Sequence, residues 1–144
     1  MGRNLFGSIK ATVHSDAVAA GLTVITPSAG VDMANFDSCM FLVHWGAITA
    51  GGAQSVEVHQ SDDDGVGDAY SALLGSKVTV ADTADDTITA IEVKQPLKRY
   101  LKCIVNRATQ NSEVNSIIAL QGGAANMPVG NTGEHHLSPA EGTA

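Results

Sequence analysis

Hydrophobic and polar residues alternate with a period of two along most of this chain, the pattern of β-strands that bury one face. Residues 54–60 show it most clearly, with Val56 and Val58 predicted to point into a core. Turn-forming Gly, Asp, Asn and Pro residues separate such segments about every ten residues. Seven or eight strands are predicted: six at residues 22–26, 38–48, 54–60, 87–94, 99–106 and 114–120, and a weaker pair within 73–80. Residues 10–13 form a further short β-like run in the N-terminal segment.

The segment 38–48 is the most apolar part of the chain, because hydrophobic residues occupy both of its alternating faces. Such a run predicts a central strand that is covered on both faces. Trp45, the single tryptophan, belongs to this run and is expected to lie in the core. A turn is predicted at the Gly51-Gly52 pair that follows. We therefore expect 38–48 to pair with 54–60 as a hairpin closed by a loop.

The regular spacing of strands and turns predicts an all-β fold, a single β-sandwich or jelly-roll-like domain, whose strand order does not follow from spacing. We predict an extended N-terminal arm over residues 1–20, the sandwich over 21–122 and a flexible C-terminal tail over 123–144. The tail holds several Gly and Pro residues and few apolar ones, too few to offset the entropy cost of ordering. It is expected to be disordered or to lie against a partner.

Composition and charge exclude several classes of protein. The 144 residues include 8 Lys plus Arg against 15 Asp plus Glu, a formal net charge of −7. Only 16% of residues are charged and 44% are hydrophobic, which excludes a coiled coil and disfavours a disordered chain. An acidic surface repels phosphate backbones, so we expect no nucleic-acid partner. No apolar run approaches the ~20 residues of a membrane span, and the first residues lack the apolar core of a signal peptide, so no membrane partner is expected.

The two cysteines, Cys39 and Cys103, both lie inside apolar runs. Buried free thiols are expected, because a bridge between them would require neighbouring strands. Free thiols indicate a protein made in a reducing compartment.

An acidic, glycine-broken loop follows the strand at 54–60 and holds the candidate metal ligands. Asp62, Asp64 and Asp68 could supply oxygens to a calcium ion, which takes six to eight of them. The spacing does not match the EF-hand loop, because the twelfth position counted from Asp62 is Leu73 rather than a bidentate Glu. We therefore expect a solvated loop, with calcium binding as the alternative.

Sequence motifs of enzymes are absent. The chain has no G-x-S-x-G nucleophile elbow, no phosphate-binding glycine loop and no H-E-x-x-H pair. His44 and His59 lie on strands expected to pair, yet no cysteine or glutamate stands at ligand spacing beside His44. We expect no catalytic residues, no cofactor and no enzymatic activity.

Four short features, met in a fixed order between roughly residues 10 and 130, resemble a known family. They are an apolar strand leading to Gly46, a strand ending in Ser61-Asp62-Asp63, the Lys98-Arg99-Tyr100 opening of a later strand, and a final strand running into Gly122-Gly123 and Pro128-Val129. This order resembles the small auxiliary head proteins of tailed bacteriophages, which decorate or cement an icosahedral capsid.

The resemblance implies a β-sandwich module without an active site, bound to the outer capsid surface of the virion and made in the host bacterial cytoplasm. It implies the major capsid protein of the same virus as a partner, and a homo-oligomer, with a trimer favoured. Internal DNA pressure would be resisted by bridging shell subunits. The expected contact residues come from the two terminal segments: Leu5, Phe6, Ile9, Met127, Pro128 and Val129.

Other interpretations stay open. Leu5, Phe6 and Ile9 could instead pack on their own domain. A head–tail joining or tail structural protein of the same phage would differ from a decoration protein in copy number. A host-surface or glycan-binding sandwich would need exposed aromatic rings, and this chain has one Trp, two Tyr and three Phe.

Overall fold

The computed structural model describes residues 4–135, which form one helical turn and ten strands in two packed antiparallel sheets. The predicted all-β sandwich is confirmed. The elements are α1 (Leu5–Ser8), β1 (Lys10–Ser15), β2 (Val18–Gly21), β3 (Val31–Asp32), β4 (Ser38–Ile48), β5 (Ala53–Ser61), β6 (Ser71–Ala72), β7 (Val78–Val80), β8 (Ile88–Lys94), β9 (Tyr100–Ala108) and β10 (Ser112–Gly122).

Strand order identifies the sandwich as a jelly roll. The first sheet has the order β1-β10-β4-β8, and β2 also pairs with β10. The second sheet has the order β3-β9-β5-β6, and β7 also pairs with β5. Strands β1 and β2 pair with the same edge of β10, and β6 and β7 pair with the same edge of β5. Each of these two pairs can therefore be counted as one interrupted strand. Eight strands then remain, four in each sheet, in jelly-roll order.

The predicted hairpin between residues 38–48 and 54–60 is wrong, because β4 and β5 belong to different sheets. Both edges of β4 are occupied, one by β10 and the other by β8, while β5 pairs with β9. The turn between them, in which Gly51 has a φ of +83°, carries the chain from one sheet to the other. His44 and His59 therefore lie on opposite sheets and do not form a pair.

The core lies between the two sheets and contains the inward face of each long strand. Trp45 and Phe41 in β4 are fully buried, as are Val56 and Val58 in β5, which confirms the predicted inward positions. The indole Nε1 of Trp45 donates a hydrogen bond to Thr89 Oγ1 at 2.9 Å, so its polar atom is satisfied. The core is thus built mainly from β-branched and aromatic side chains.

Cys39 and Cys103 are buried free thiols, as predicted. They lie on β4 and β9, in opposite sheets. Burial raises the pKa of each thiol to about 12, which keeps both protonated and unreactive at neutral pH.

The N-terminal boundary differs from the predicted one at residue 20. Lys10–Ser15 and Val18–Gly21 are strands of the first sheet, because the long strand β10 offers one edge to both of them. Residues 4–9 are what remains of the predicted arm within the described part of the chain. The predicted strand at 22–26 is reduced to one isolated bridge, between Ile25 and Val105.

Arg107 in β9 fastens the connection between β2 and β3 to the core. Its side chain is 4% exposed and forms no ion pair within residues 4–135. The guanidinium donates to the carbonyl oxygens of Thr23 (2.7 Å), Ala19 (2.9 Å) and Ser112 (2.7 Å), and to Thr23 Oγ1 (3.0 Å). This one side chain thus donates to four acceptors, three of them backbone carbonyl oxygens.

His14 is directed inward from β1. Its ring lies against Phe41 with the ring centroids 5.0 Å apart, and its Nε2 accepts the backbone N–H of Cys103 at 3.1 Å. Desolvation, together with the positive charge of Lys102, lowers the pKa of His14 from 6.5 to about 4. The imidazole is therefore neutral at physiological pH.

Candidate partner-binding surface

The two terminal segments, predicted separately as contact regions, lie against each other at one end of the sandwich. The backbone N–H of Val129 donates to the carbonyl of Gly7 at 3.0 Å. The Nδ2 of Asn131 donates to the carbonyl oxygens of Phe6 (2.8 Å) and Ile9 (2.7 Å). The C-terminal segment up to residue 135 thus packs beside α1, and residues 136–144 of the predicted flexible tail lie outside the described part.

Asn131 holds the N-terminal segment with both ends of its amide. Besides the two donated bonds, its Oδ1 accepts the backbone N–H of Ala11 at 3.1 Å. At the start of α1, the Asn4 side chain accepts the N–H of Gly7 at 2.7 Å, which caps the turn. The sequence analysis missed Asn131, because an asparagine in a glycine-rich segment is no signal of a long-range contact.

The six predicted contact residues divide into exposed and packed ones. Leu5 is 74% exposed and Met127 is 48% exposed, and Pro128 is also exposed. Phe6 and Ile9 are half-buried, and Val129 is buried. The alternative that Leu5, Phe6 and Ile9 pack on their own domain therefore applies in part to Phe6 and Ile9, and Val129 packs in the same way. Leu5, Met127 and Pro128 stay available to a partner.

An apolar groove of about 540 Å³ runs between α1 and the first sheet. Its walls join the terminal segments to the sheet, since Ala11 belongs to β1 and Leu120 to β10. We call it the terminal groove; its lining residues are Leu5, Phe6, Ile9, Ala11, Leu120, Asn131 and Thr132.

The outward side of the first sheet also carries apolar residues, beside the polar Glu92, His44 and Ser116, and the terminal groove opens onto it. One row of register partners across the four strands is Val13, Ile118, Leu42 and Ala90, all apolar. We call this surface the outer sheet face; it comprises Ala11, Val13, Met40, Leu42, Ile88, Ala90, Ile118 and Leu120.

The described residues leave the outer sheet face partly open to solvent, which corrects the prediction that the strand at 38–48 is covered on both faces. Val13 is 66% exposed and Ile88 is 60% exposed, at opposite edges of the face. Met40 and Leu42, between them, are half-buried. Only the inward side of β4 is covered within residues 4–135.

The acidic loop uses its carboxylates to hold its own backbone. Asp63 accepts the N–H groups of Val66 (3.0 Å), Gly67 (2.6 Å) and Asp68 (3.0 Å). These three bonds are the main reason that the pKa of Asp63 is lowered. Its side chain is therefore a cap for the turn rather than a free ligand.

Two of the three candidate metal ligands, Asp64 and Asp68, likewise bind other groups, whereas the Asp62 carboxylate is 65% exposed and lies 3.9 Å from Lys98 Nζ. Asp64 accepts from the Tyr70 hydroxyl and from the N–H of Gly30 at 2.8 Å, and these hydrogen bonds lower its pKa. Asp68 is paired with Lys98 at 2.5 Å and accepts the N–H of Asp62. Within residues 4–135, no three His, Cys, Asp or Glu side chains are grouped so as to hold a metal ion.

We expect millimolar calcium to leave the thermal unfolding midpoint unchanged, because binding would require breaking the hydrogen bonds of Asp64 and Asp68. Differential scanning fluorimetry with calcium and with EDTA measures this directly. A calcium-dependent rise in the midpoint that EDTA reverses would show that the loop rearranges around the ion.

No helix within residues 4–135 combines the length and apolar character needed to cross a membrane.

Trp45, the largest ring that a glycan-binding sandwich could use for stacking, is fully buried.

Comparisons with known proteins identify a solved structure of similar fold. No family model matches the sequence, and no curated protein matches it. Among solved structures, the PBSX exported protein XepA matches with a TM-score of 0.55 at 16% sequence identity, covering 99% of this chain and 46% of that one. The chain thus spans less than half the length of XepA. Eiger TNF from S. frugiperda matches 90% of this chain and 92% of its own at 12% identity, with a TM-score of 0.35, too low to support an argument. The likeness to XepA shows a shared fold.

Proposed function

We propose that this chain is a tailed-phage virion structural protein, a decoration or cement protein that binds the outside of an assembled icosahedral head and stabilises it against internal DNA pressure. Three findings support the proposal. The sequence features between residues 10 and 130 resemble those of auxiliary head proteins. The chain folds as a jelly roll, an architecture that recurs in viral capsid domains. The same fold is found in an exported protein of PBSX.

The observation that carries the proposal is the convergence of the two terminal segments. Leu5 and Met127 are far apart in the sequence, yet the bonds between Val129 and Gly7 and those of Asn131 bring their segments together. The result is an exposed apolar surface beside the terminal groove. Exposed apolar surface of this kind marks an interaction site.

The proposed partner is the major capsid protein, and the proposed location is the outer capsid surface, reached after synthesis in the bacterial cytoplasm. Neither a nucleic acid nor a membrane is a partner in this scheme, and no catalytic step is involved. The net charge of −7 keeps the free protein soluble before docking. A homo-oligomer is part of the proposal, with the trimer resting on the family resemblance alone.

We expect the double variant Leu5→Ser, Met127→Ser to bind empty capsids at least tenfold more weakly. Burying these two exposed side chains would contribute about 1–2 kcal/mol each, and about 1.4 kcal/mol corresponds to tenfold in affinity. The matched control is Val66→Ser, Leu74→Ser, which removes two side chains that are 89% and 100% exposed but lie away from the terminal segments. Co-sedimentation with capsids measures both. Equal binding by the two double variants would contradict the proposed contact.

Copy number in purified virions separates decoration from the alternative role. Quantitative mass spectrometry against the major capsid protein should give a near-stoichiometric amount for a decoration protein. A handful of copies would instead assign the chain to the head–tail junction or the tail. Absence from the particle would overturn the virion role.

A further inference from the structure

We propose that His14 is an acid-sensitive latch between the two sheets, whose protonation frees β1 from the second sheet and leaves β2 in place. Strands β1 and β2 pair with the same edge of β10, and each is joined to the second sheet by the hydrogen bonds of one side chain. One of these side chains can take up a proton and the other cannot. The inference concerns the fold and does not depend on the capsid role.

A β-bulge separates His14 from the ladder between β1 and β10. The register shifts at this point, because Val13 pairs with Ile118 while Ser15 pairs with Ile117. His14 is therefore the extra residue of the bulge and has no register partner on β10. Bulges redirect side chains and commonly occur at sheet edges, as this one does. The His14 ring lies against Phe41, between the sheets.

The imidazole fills a gap in the pairing of β9. That strand pairs with β3 near its start and with Ile25 at Val105, whereas residues 26–30 form no bridge to it. The backbone N–H of Cys103 lies in this gap and donates to His14 Nε2 at 3.1 Å. Within residues 4–135, this is the one hydrogen bond between β1 and the second sheet.

Strand β2 is held by Arg107 instead. Its guanidinium donates to the carbonyl oxygen of Ala19 in β2 at 2.9 Å and to that of Ser112 in β10 at 2.7 Å. A guanidinium keeps its charge and its donors in acid, whereas the Nε2 of a histidine accepts a hydrogen bond only while the ring is neutral. Protonation therefore removes the bond that holds β1 and leaves those that hold β2.

The surroundings of His14 disfavour a positive charge on its ring. The titratable and charged groups around it are Lys102 and Cys103 from β9, Cys39 from β4, Lys10 from β1 and Asp32 from β3. The two lysines are cations, the two thiols are protonated, and Asp32 is paired with Arg99 at 2.7 Å. No carboxylate lies within ion-pair distance of His14 among residues 4–135. β10 contributes only Ile117 and Ile118 beside the bulge.

A cavity of about 380 Å³ beside β1 gives the charged ring a place outside the core. It lies between β1 and residues 28–32, and both His14 and Asp32 line it. Water and the nearby carboxylate favour an imidazolium there over one between the sheets. The pKa of the ring is about 4 in its buried position and 6.5 when it is free, so the released form gains population as the pH falls through this range.

Hydrogen–deuterium exchange of the full-length chain, followed by mass spectrometry, tests the latch. Between pH 7.5 and pH 4.5, we expect the protection factor of residues 10–15 to fall at least tenfold more than that of residues 18–21, after correction for the intrinsic pH dependence of exchange. The substitution His14→Gln should abolish this difference, because the glutamine amide oxygen accepts a hydrogen bond without titrating. The matched control His44→Gln, on the outward side of β4, should retain it.

Three outcomes would overturn the proposal. Equal losses of protection in residues 10–15 and 18–21 would show that acid loosens the whole sandwich, and unchanged protection of residues 10–15 would show that β1 is not released. The same difference in the His14→Gln variant would assign the effect to another group. The comparison of the two strands within the wild type needs no substitution, so it decides the matter even if His14→Gln folds poorly.

Discussion

Replacing Arg107 by methionine is expected to lower the free energy of unfolding by about 3–4 kcal/mol. Methionine fills similar volume but donates no hydrogen bonds, so the carbonyl oxygens of Thr23, Ala19 and Ser112 lose their charged donor. The bond to Ser112 is buried and those to Thr23 and Ala19 are part-buried; an unpaired interior acceptor costs about 1–3 kcal/mol, and water and local relaxation recover part of the sum. Chemical denaturation with urea, followed by Trp45 fluorescence, measures the change.

Arg99→Met is the matched control for this experiment. Arg99 forms a two-bond ion pair with Asp32, at 2.8 and 2.7 Å, but both side chains are solvent-exposed. Exposed pairs contribute about 0–1 kcal/mol, so this substitution should cost less than 1 kcal/mol. Arg107, which has no carboxylate partner within residues 4–135, is thus expected to contribute more to the free energy of unfolding than Arg99, which has one. Similar losses at the two sites would show that the contacts of Arg107 are not needed for stability.

Acidification from pH 7.5 to pH 4.5 is expected to remove about 2–3 kcal/mol of stability through His14 alone. Its pKa is about 4 in the folded protein and 6.5 when unfolded, so the unfolded state binds the proton first as the pH falls. The contribution of His14 to the free energy of unfolding is therefore fully present above pH 6.5 and is lost progressively down to about pH 4. The physical cause is that protonation would place a charge in a desolvated position near Lys102 and remove the Nε2 acceptor of the Cys103 N–H.

The substitution His14→Gln isolates this contribution. The glutamine amide oxygen can still accept a hydrogen bond, but the amide does not titrate. The variant should lose much less stability than the wild type between pH 7.5 and pH 4.5 in urea titrations. The carboxylates whose pKa values are lowered by hydrogen bonds, such as Asp32 and Asp64, act at lower pH and are present in both proteins. Parallel pH profiles for the two proteins would contradict the assignment to His14.

The existence of most strands could be predicted from the sequence, and the pairing of the strands could not. Alternation placed Val56 and Val58 in the core, as observed. Alternation indicates only which side of a strand is buried, however, and not which strand is its neighbour. A glycine turn that connects two sheets has the same sequence pattern as a turn within one sheet. This is why the hairpin prediction at Gly51-Gly52 was wrong, and why the edge position of β1 beside β10 was missed.

The candidate surface was predictable in part. Leu5 and Met127 were selected as apolar residues in terminal segments, and their role as contacts stays a prediction. The proximity of the two segments that carry them depends on the long-range hydrogen bonds of Asn131, for which the local sequence holds no signal. The outer sheet face was visible in the sequence as a strand apolar on both sides. The prediction that this strand is covered on both faces is not met within residues 4–135.

Strand β10 has a consequence for how a ribosome-bound chain acquires this fold. It lies between β4 on one side and both β1 and β2 on the other, and it begins only at Ser112. Every pairing that joins β1 and β2 to the first sheet therefore awaits β10, the last strand within residues 4–135. A nascent chain stopped before residue 112 keeps β1 and β2 without their sheet partner and exposes the apolar inward side of β4. Within residues 4–135, the first sheet can therefore be completed only after residues 112–122 have been translated, so its long-range pairings form late.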